Sequence, residues 1–478
     1  TVVFSQNLTI IGENAFHTQK KIISLSFPAS LKTIESGAFV DAIGLESVTF
    51  NKNLETIGTS AFEITDEKTT TKLKTLKFGK NLKKIGDYAF LNRKDLEKVY
   101  WDELDNVDYL DFNTYGASAD ITITNSDLKY IDGAQVTIGD YAFRLKTDGG
   151  NLRGINTRII LPRNLKSIGE FCFADRWLTD VVFTDPYNTA YEKDDRNWPE
   201  LTIGNNAFNS YCSGGTVLTS TDYQSETFKA FNKTIHIPVN TTSIGEQAFA
   251  NTLLYHKGIS FYNVDIDVKN KYSLTIGKQA FAMLLTKGDG RSMLTENLEK
   301  VRDEKFWQLV LPARTTTIGV KAFYNVLDIG SNNQKKSGII LSYDIYNSRL
   351  KTIGDQAFAI NVDTGETATY RNPDIENTTT VATAMNYNNI TIPVSLETIG
   401  KAAFVNRGSI KEITIFGGHN DGNISLLKTI GSFAFSYCVN LSKINNGFSD
   451  SLTDLGEYAF THCESLTGNY KDKTAIYF

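Results

Sequence analysis

Apolar residues recur along this chain in two linked patterns. The first is a short alternation, L-x-x-I-x-F or a near variant, as in Ile22 with Leu25-Ser26-Phe27, Leu45 with Val48-Thr49-Phe50 and Leu96 with Val99-Tyr100-Trp101. Period-two alternation over so few residues predicts a short, half-buried β-strand. The second is the hexamer I-G-x-x-A-F, whose fourteen copies begin at Ile11, Ile34, Ile57, Ile85, Ile138, Ile168, Ile203, Ile244, Ile276, Ile318, Ile353, Ile399, Ile430 and Leu455. In regular copies seven residues carry the chain from the strand's last apolar residue to the next Ile, as from Phe27 to Ile34, Phe50 to Ile57 and Leu161 to Ile168.

Neither segment can bury its apolar side alone, so each repeat must stack on its neighbours, and the Ile, Leu and Phe side chains then form one continuous core. A base period of 23, the distance from Ile11 to Ile34 and from Ile34 to Ile57, lies in the leucine-rich-repeat range. The expected fold is a right-handed leucine-rich-repeat solenoid of α/β type, a single continuous body over residues 1–478. Its parallel sheet would line the concave face and short helical turns the convex face. Glycine after the Ile suits a turn with positive φ, and Ala before Phe leaves room for close packing. Longer intervals mark insertions near 102–120, 184–201, 209–233, 282–306, 359–388 and 416–426, crowding both edges of the sheet. Within the 53 residues from Ile85 to Ile138, Ile121-Thr122-Ile123 with Leu128 and Ile131 reads as an eroded repeat.

A unit reading L-x-x-I-x-F-P-x-x-L-x-x-I-G-x-x-A-F-x-x-C resembles the BspA-like, or TpLRR, class of leucine-rich repeats. Residues 22–39 match it almost throughout, as do Leu396 to Phe404, Leu427 to Cys438 and Leu452 to Cys463, with Cys438 and Cys463 three residues after Phe. Departures are local: Glu35 stands for Gly, Phe171-Cys172-Phe173 for x-A-F, and Leu455 for Ile. The resemblance implies a bacterial protein that is extracellular or attached to the cell surface. It also implies adhesion to a protein partner, either host matrix or another microbial surface protein.

Composition narrows the function classes. The charged fraction is 22% and the formal net charge −5, with no strong field of either sign, which argues against nucleic acid as a partner. No run approaches the roughly 18 apolar residues of a membrane-spanning helix. The chain opens on Thr1 rather than Met, which leads us to expect a trimmed, mature polypeptide. Four cysteines are too few for a disulfide framework, and Cys172, Cys212, Cys438 and Cys463 all follow or enter a Phe-bearing turn, a core position. His17, His236, His256, His419 and His462 are scattered with no metal-ligand or triad spacing. Asp421-Gly422 reads as a tight turn, and the Asn-x-Ser/Thr triplets at Asn7, Asn232, Asn240 and Asn389 are incidental in a bacterial chain. We therefore expect no enzymatic activity, no metal and no cofactor.

Binding residues should come from the outward strand positions and the inserted loops. The outward positions read Ser26, Thr49, Lys77, Tyr100, Ile160, Val182, His236, Ser260, Val310, Ile340, Thr391 and Thr414. Their middle is apolar, and an exposed apolar strip marks either a contact surface or a covering loop. Tyr100, Ile160, Val182 and His236 are the candidates for a protein partner. The loop Asp185 to Glu200 offers Tyr187, Tyr191 and Trp198 among acidic residues, suited to a basic or carbohydrate partner. A glycan-binding protein is the alternative that 22 tyrosines favour, and a passive spacer is the third reading.

Overall fold

The computed structural model describes residues 2–102, 135–146, 157–183, 199–209, 234–252, 258–261, 272–284, 308–326, 338–360, 388–417 and 424–466, apart from positions 163, 177, 283, 409 and 449. The chain divides into two compact units. Thr1–Thr216, Ala230–Thr241 and Thr252–His256 form the first; Val217–Lys229, Thr242–Asn251 and Lys257–Phe478 form the second. Seven hexamers fall in each. The expected insertions lie almost wholly outside the described residues.

Coils contribute two parallel strands where the alternation predicted one. The expected strand is present, for example as Ser24–Ser26 paired in register with Ser47–Thr49. The added strand is a short stretch ending on the hexamer's Ile. In the first unit its ladder sets Ile11 beside Ile34, then Ile57, Ile85, Ile138, Ile168 and Ile203. In the second it sets Ile244 beside Ile276, then Ile318, Ile353, Ile399, Ile430 and Leu455. Ile85 pairs directly with Ile138; the repeat read at 121–131 lies outside the described residues.

The hexamer itself is a turn, and no helix occurs among the described residues, which corrects the helical turns expected there. The reason is in the dihedrals. The residue just before Ala-Phe is left-handed in all fourteen copies, from Asn14 (φ 54) and Gly37 (φ 65) through Tyr88 (φ 59) to Tyr458 (φ 57), and one left-handed residue ends any helical run. The glycine after Ile has a different task from the one expected of it, since it is not left-handed. A Cβ built on Gly86 would stand 2.5 Å from the Thr59 backbone N and 2.6 Å from the Gly58 carbonyl carbon. Coils pass so closely here that only a residue without a side chain fits. Glu35, the one exception, turns its carboxylate to accept the Glu13 amide at 3.0 Å.

Packing repeats the same step. In the first unit the hexamer phenylalanines stack from Phe16 to Phe208 with centroids 5.0–5.3 Å apart, and in the second from Phe249 to Phe460 at 5.1–5.2 Å. A parallel rank of strand aromatics, Phe27, Phe50, Phe78 and Trp101, locks against it, with Phe27 at 5.9 Å from Phe39 and Phe50 at 5.8 Å from Phe62. Each buried ring stabilises the fold by about 2–3 kcal/mol through apolar burial.

Three arginines lie inside this core. Arg93, Arg176 and Arg407 are at most 2% exposed and each stands three residues after a hexamer Phe, the position that Cys438 and Cys463 occupy elsewhere. Each guanidinium donates to backbone carbonyls of two earlier coils. Arg93 reaches Phe62 O at 2.8 Å and Ala42 O at 3.0 Å. Arg176 reaches Phe143 O, and Arg93 O at 2.9 Å; Arg407 reaches Phe358 O, and Val326 O at 2.7 Å. Burial lowers the pKa of Arg93 and of Arg176 to about 9, so both remain cations at neutral pH.

Two stability predictions follow from this geometry, both read by urea unfolding. Gly86→Ala should cost about 1–3 kcal/mol through overpacking. Gly12→Ala should be near neutral, because its nearest neighbour is the flexible Glu35 carboxylate at 3.8 Å; equal losses at both sites would refute the close-approach account. Arg93→Ala should cost about 3 kcal/mol or more by stranding buried carbonyls and leaving a cavity, and a loss below 1 kcal/mol would mean that the clasp contributes little.

Candidate functional site

Four of the longer strands in the first unit form one sheet, in the order Leu178–Phe183, Thr157–Leu161, Lys98–Asp102, Thr75–Gly79. Alternation sends Leu76, Val99, Ile159 and Val181 inward, all buried, and leaves the residues between them on the other face. Register then fixes who stands beside whom. Lys77 pairs with Tyr100, Ile159 with Val99 and Ile160 with Val182, so Tyr100, Ile160 and Val182 form one row across three adjacent strands. All three are half-buried, and Lys77 at the end of the row is exposed. A second row runs beside it, with Arg158 between Lys98 and Asp180.

His236, also exposed, is on Thr234–Ile237, which runs close to Leu178–Phe183 without joining its ladder. The structure therefore brings three of the four strip candidates into one row and sets the fourth on a neighbouring strand. Tyr187, Tyr191 and Trp198 lie outside the described residues. In the second unit Val310 pairs with Ile340 on the equivalent face, both half-buried.

Some tyrosines stack along the turns. Tyr88, Tyr141 and Phe171, all at the left-handed turn position, stack at 5.0 and 5.2 Å with interplanar angles of 5° and 12°. Tyr141 is thereby covered by a ring on each face. Arg144 lies 4.8 Å from the Phe171 centroid and 5.4 Å from that of Tyr141, and its Nε donates to Asp175 Oδ2 at 3.0 Å. Burial raises the Asp175 carboxyl to about 6, against the opposing pull of Arg144.

The cysteines of the described residues are buried. Burial holds the Cys172 thiol well above its ordinary range and that of Cys463 at about 12. Such thiols stay protonated, and those of Cys438 and Cys463 donate to Phe404 O at 3.4 Å and Phe435 O at 3.1 Å. Cys212 lies outside the described residues. Among the described residues no three His, Cys, Asp or Glu side chains are grouped to hold a metal ion, and no helix is long and apolar enough to cross a membrane. The hollow against the last coil, between Ile444, Phe448, Leu455, Phe460 and Leu466, is walled by apolar groups.

The coil step, the Ile ladders and the Phe stack repeat over sequence that matches the BspA-type leucine-rich-repeat region in six stretches, residues 1–122, 67–156, 122–193, 201–273, 300–420 and 375–473. The chain belongs to the BspA-type leucine-rich-repeat family.

Solved structures similar to this BspA-type chain include a leucine-rich-repeat protein from Bacteroides ovatus, 17% identical over 96% of this chain and 82% of that one, with a TM-score of 0.39. The pneumococcal vaccine antigen PcpA is 15% identical over 98% and 81%, at 0.35. A leucine-rich cell surface protein of Faecalibacterium prausnitzii is 16% identical over 99% and 94%, at 0.30. No curated protein matches the chain.

Arg93, Arg176 and Arg407 are the residues of this BspA-type core that the sequence reading missed. Their signal was present: an Asn-Arg or Asp-Arg pair directly after A-F-x or its variant, at Asn92, Asp175 and Asn406.

The Asp175 environment makes a pH prediction. Its folded-state pKa of about 6 exceeds the free value of 3.8, so the folded chain binds this proton more tightly than the unfolded one. Its contribution is full below 3.8 and is lost as pH rises through about 6. Urea unfolding across that window should show a falling slope that Asp175→Asn flattens; an unchanged slope in the variant would assign it to another group.

Proposed function

We propose that this chain is a non-catalytic binding protein, extracellular or attached to a cell surface, that recognises a protein partner through the outward face of the first unit's four-stranded sheet. The observation that carries this reading is the row Tyr100, Ile160 and Val182, in register on adjacent strands. In a coil whose inward positions are filled by Leu, Ile and Phe, outward apolar side chains do nothing further for the core. They are suited to contribute to an interface, where Tyr and branched aliphatics flanked by charge make productive contacts. His236 is assigned to the border of that surface. Lys98 and Arg158 in the adjoining row supply polar contacts that would orient the partner. Host matrix proteins and microbial surface proteins are the partner classes to which the family resemblance directs the search. The glycan alternative would draw on Tyr187, Tyr191 and Trp198.

The experiment is a binding screen of the purified chain against arrayed extracellular-matrix proteins and glycans, repeated with Ile160→Asp and Val182→Asp together. We expect saturable binding to a protein, weakened at least about tenfold in the double variant, since each charge placed in an apolar contact costs a kilocalorie or more. The melting temperature should be unchanged. Binding that ignores the double variant would dismiss the sheet face, and binding to glycans alone would dismiss the protein-partner reading.

A further inference from the structure

The last described coil leaves a sheet edge and an apolar wall open. Lys443–Asn445 ends the three-stranded sheet of the second unit. On one side it pairs with Ile410–Ile415, Ile444 beside Ile413; on the other it meets no strand among the described residues. Next to it lies the hollow of roughly 300 Å³ between Ile444, Phe448, Leu455, Phe460 and Leu466. Leu455 is 40% exposed, whereas the hexamer Ile of each earlier coil is at most 3% exposed. An unpaired strand edge and an uncovered apolar face at the end of a solenoid both call for a cover.

Residues 467–478, outside the described set, follow Leu466 directly, and their sequence repeats that of strands seen elsewhere in the chain. Ile476-Tyr477-Phe478 has the I-x-F alternation, and Lys473-Thr474-Ala475 precedes it much as Lys336-Ser337-Gly338 precedes Ile339-Ile340-Leu341. The interval matches too. Ile476 stands 16 residues after the hexamer Phe460, as Ile159 stands 16 after Phe143 and Ile339 stands 16 after Phe323. In both described coils that interval delivers a parallel strand in register with the one before, Ile159 beside Val99 and Ile339 beside Leu309. The first and third residues of each triplet are buried, Ile159 with Leu161 and Ile339 with Leu341.

We propose that Ile476, Tyr477 and Phe478 dock as a further parallel strand on the open edge of Lys443–Asn445, with Ile476 beside Ile444 and Phe478 turned into the hollow over Phe448. Alternation then sets Tyr477 on the outward face, in line with Asn445. Tethered to Leu466, the segment meets this edge at a high effective concentration, where a separate partner would lose its translational freedom. The added strand pairs the open N–H and C=O groups of the edge and so bars it to a second copy of the chain. The inference is independent of the partner surface assigned to the first unit.

Amide hydrogen exchange on the full chain tests this, in the parent, in I476D/F478D and in Y477D. In the parent, residues 476–478 should exchange at least about tenfold more slowly than an unstructured peptide. I476D/F478D should bring them to the unstructured rate and speed exchange at Lys443–Asn445 severalfold, with the strands of the first unit unchanged. Y477D, which places its charge on the outward face, should leave both segments protected. Free exchange at 476–478 in the parent would overturn the proposal, as would equal losses in Y477D and I476D/F478D. Protection that grows with protein concentration would overturn it as well, since that marks a second copy on this edge.

Discussion

The spacing of a parallel ladder governs this molecule. Hydrogen-bonded strands lie a little under 5 Å apart, and because both strands of a coil are held by ladders, every other atom in the coil must accept that step. Aromatic rings left to themselves avoid a face-to-face sandwich, yet here they are nearly coplanar in direction at 5.0–5.3 Å, because the backbone sets their separation. Glycines such as Gly58, Gly86 and Gly139 meet the same constraint from the other side, since the turn backbones come closer than a Cβ allows. Even the left-handed residue before Ala-Phe, unfavourable by about 1 kcal/mol for a residue with a side chain, is tolerated at thirteen non-glycine positions because the stack on either side fixes it.

Polar groups within such a stack have to be answered by the next coil. Acidic side chains at the turn do this at the surface, Asp87 accepting the Asp140 amide at 2.9 Å and Asp140 accepting that of Glu170 at 2.7 Å. Deeper in, the carbonyls of Phe62, Phe143, Phe358, Phe404 and Phe435 each accept from the side chain three residues after the next hexamer Phe. A cysteine supplies a weak donor; an arginine supplies several at once and reaches a second coil as well. The desolvation cost of a buried guanidinium is large, and it is offset only because the fork meets carbonyls from two coils. Arg93 and Arg176 are further linked, since Arg176 donates to the Arg93 carbonyl, so the first unit carries a polar seam through an otherwise apolar interior.

These features were unequally legible in the sequence. The hexamer was readable because Ile, Gly, Ala and Phe each obey a strict local demand, and repetition turned a weak pattern into a strong one. The second strand was not readable, because a two-residue strand such as Thr33–Ile34 is too short to show alternation. The role of the glycine was misread for a related reason: close approach by another coil leaves no local trace, whereas a turn is the commoner reason for glycine. The arginines were invisible to a rule that places Arg at the surface. The outward row of Tyr100, Ile160 and Val182 could be anticipated, since period-two alternation assigns faces directly. The meeting of Tyr346 with Phe416 could not, because these two rings follow no period and come together only through the fold.

The ladder that fixes the core also frees what lies outside it. Ile85 pairs with Ile138 across an interval of 53 residues in the same register as Ile34 with Ile57, and Phe90 still stacks on Phe143 at 5.2 Å. An insertion therefore leaves the core step unaltered. The outward strand positions are equally unconstrained, since a side chain there touches neither the Ile ladder nor the Phe stack. Variation at these two places is cheap in stability, while variation in the hexamer is not. A binding surface in this architecture is consequently expected where the chain departs from its own repeat, and the apolar row on polar-alternating strands is such a departure.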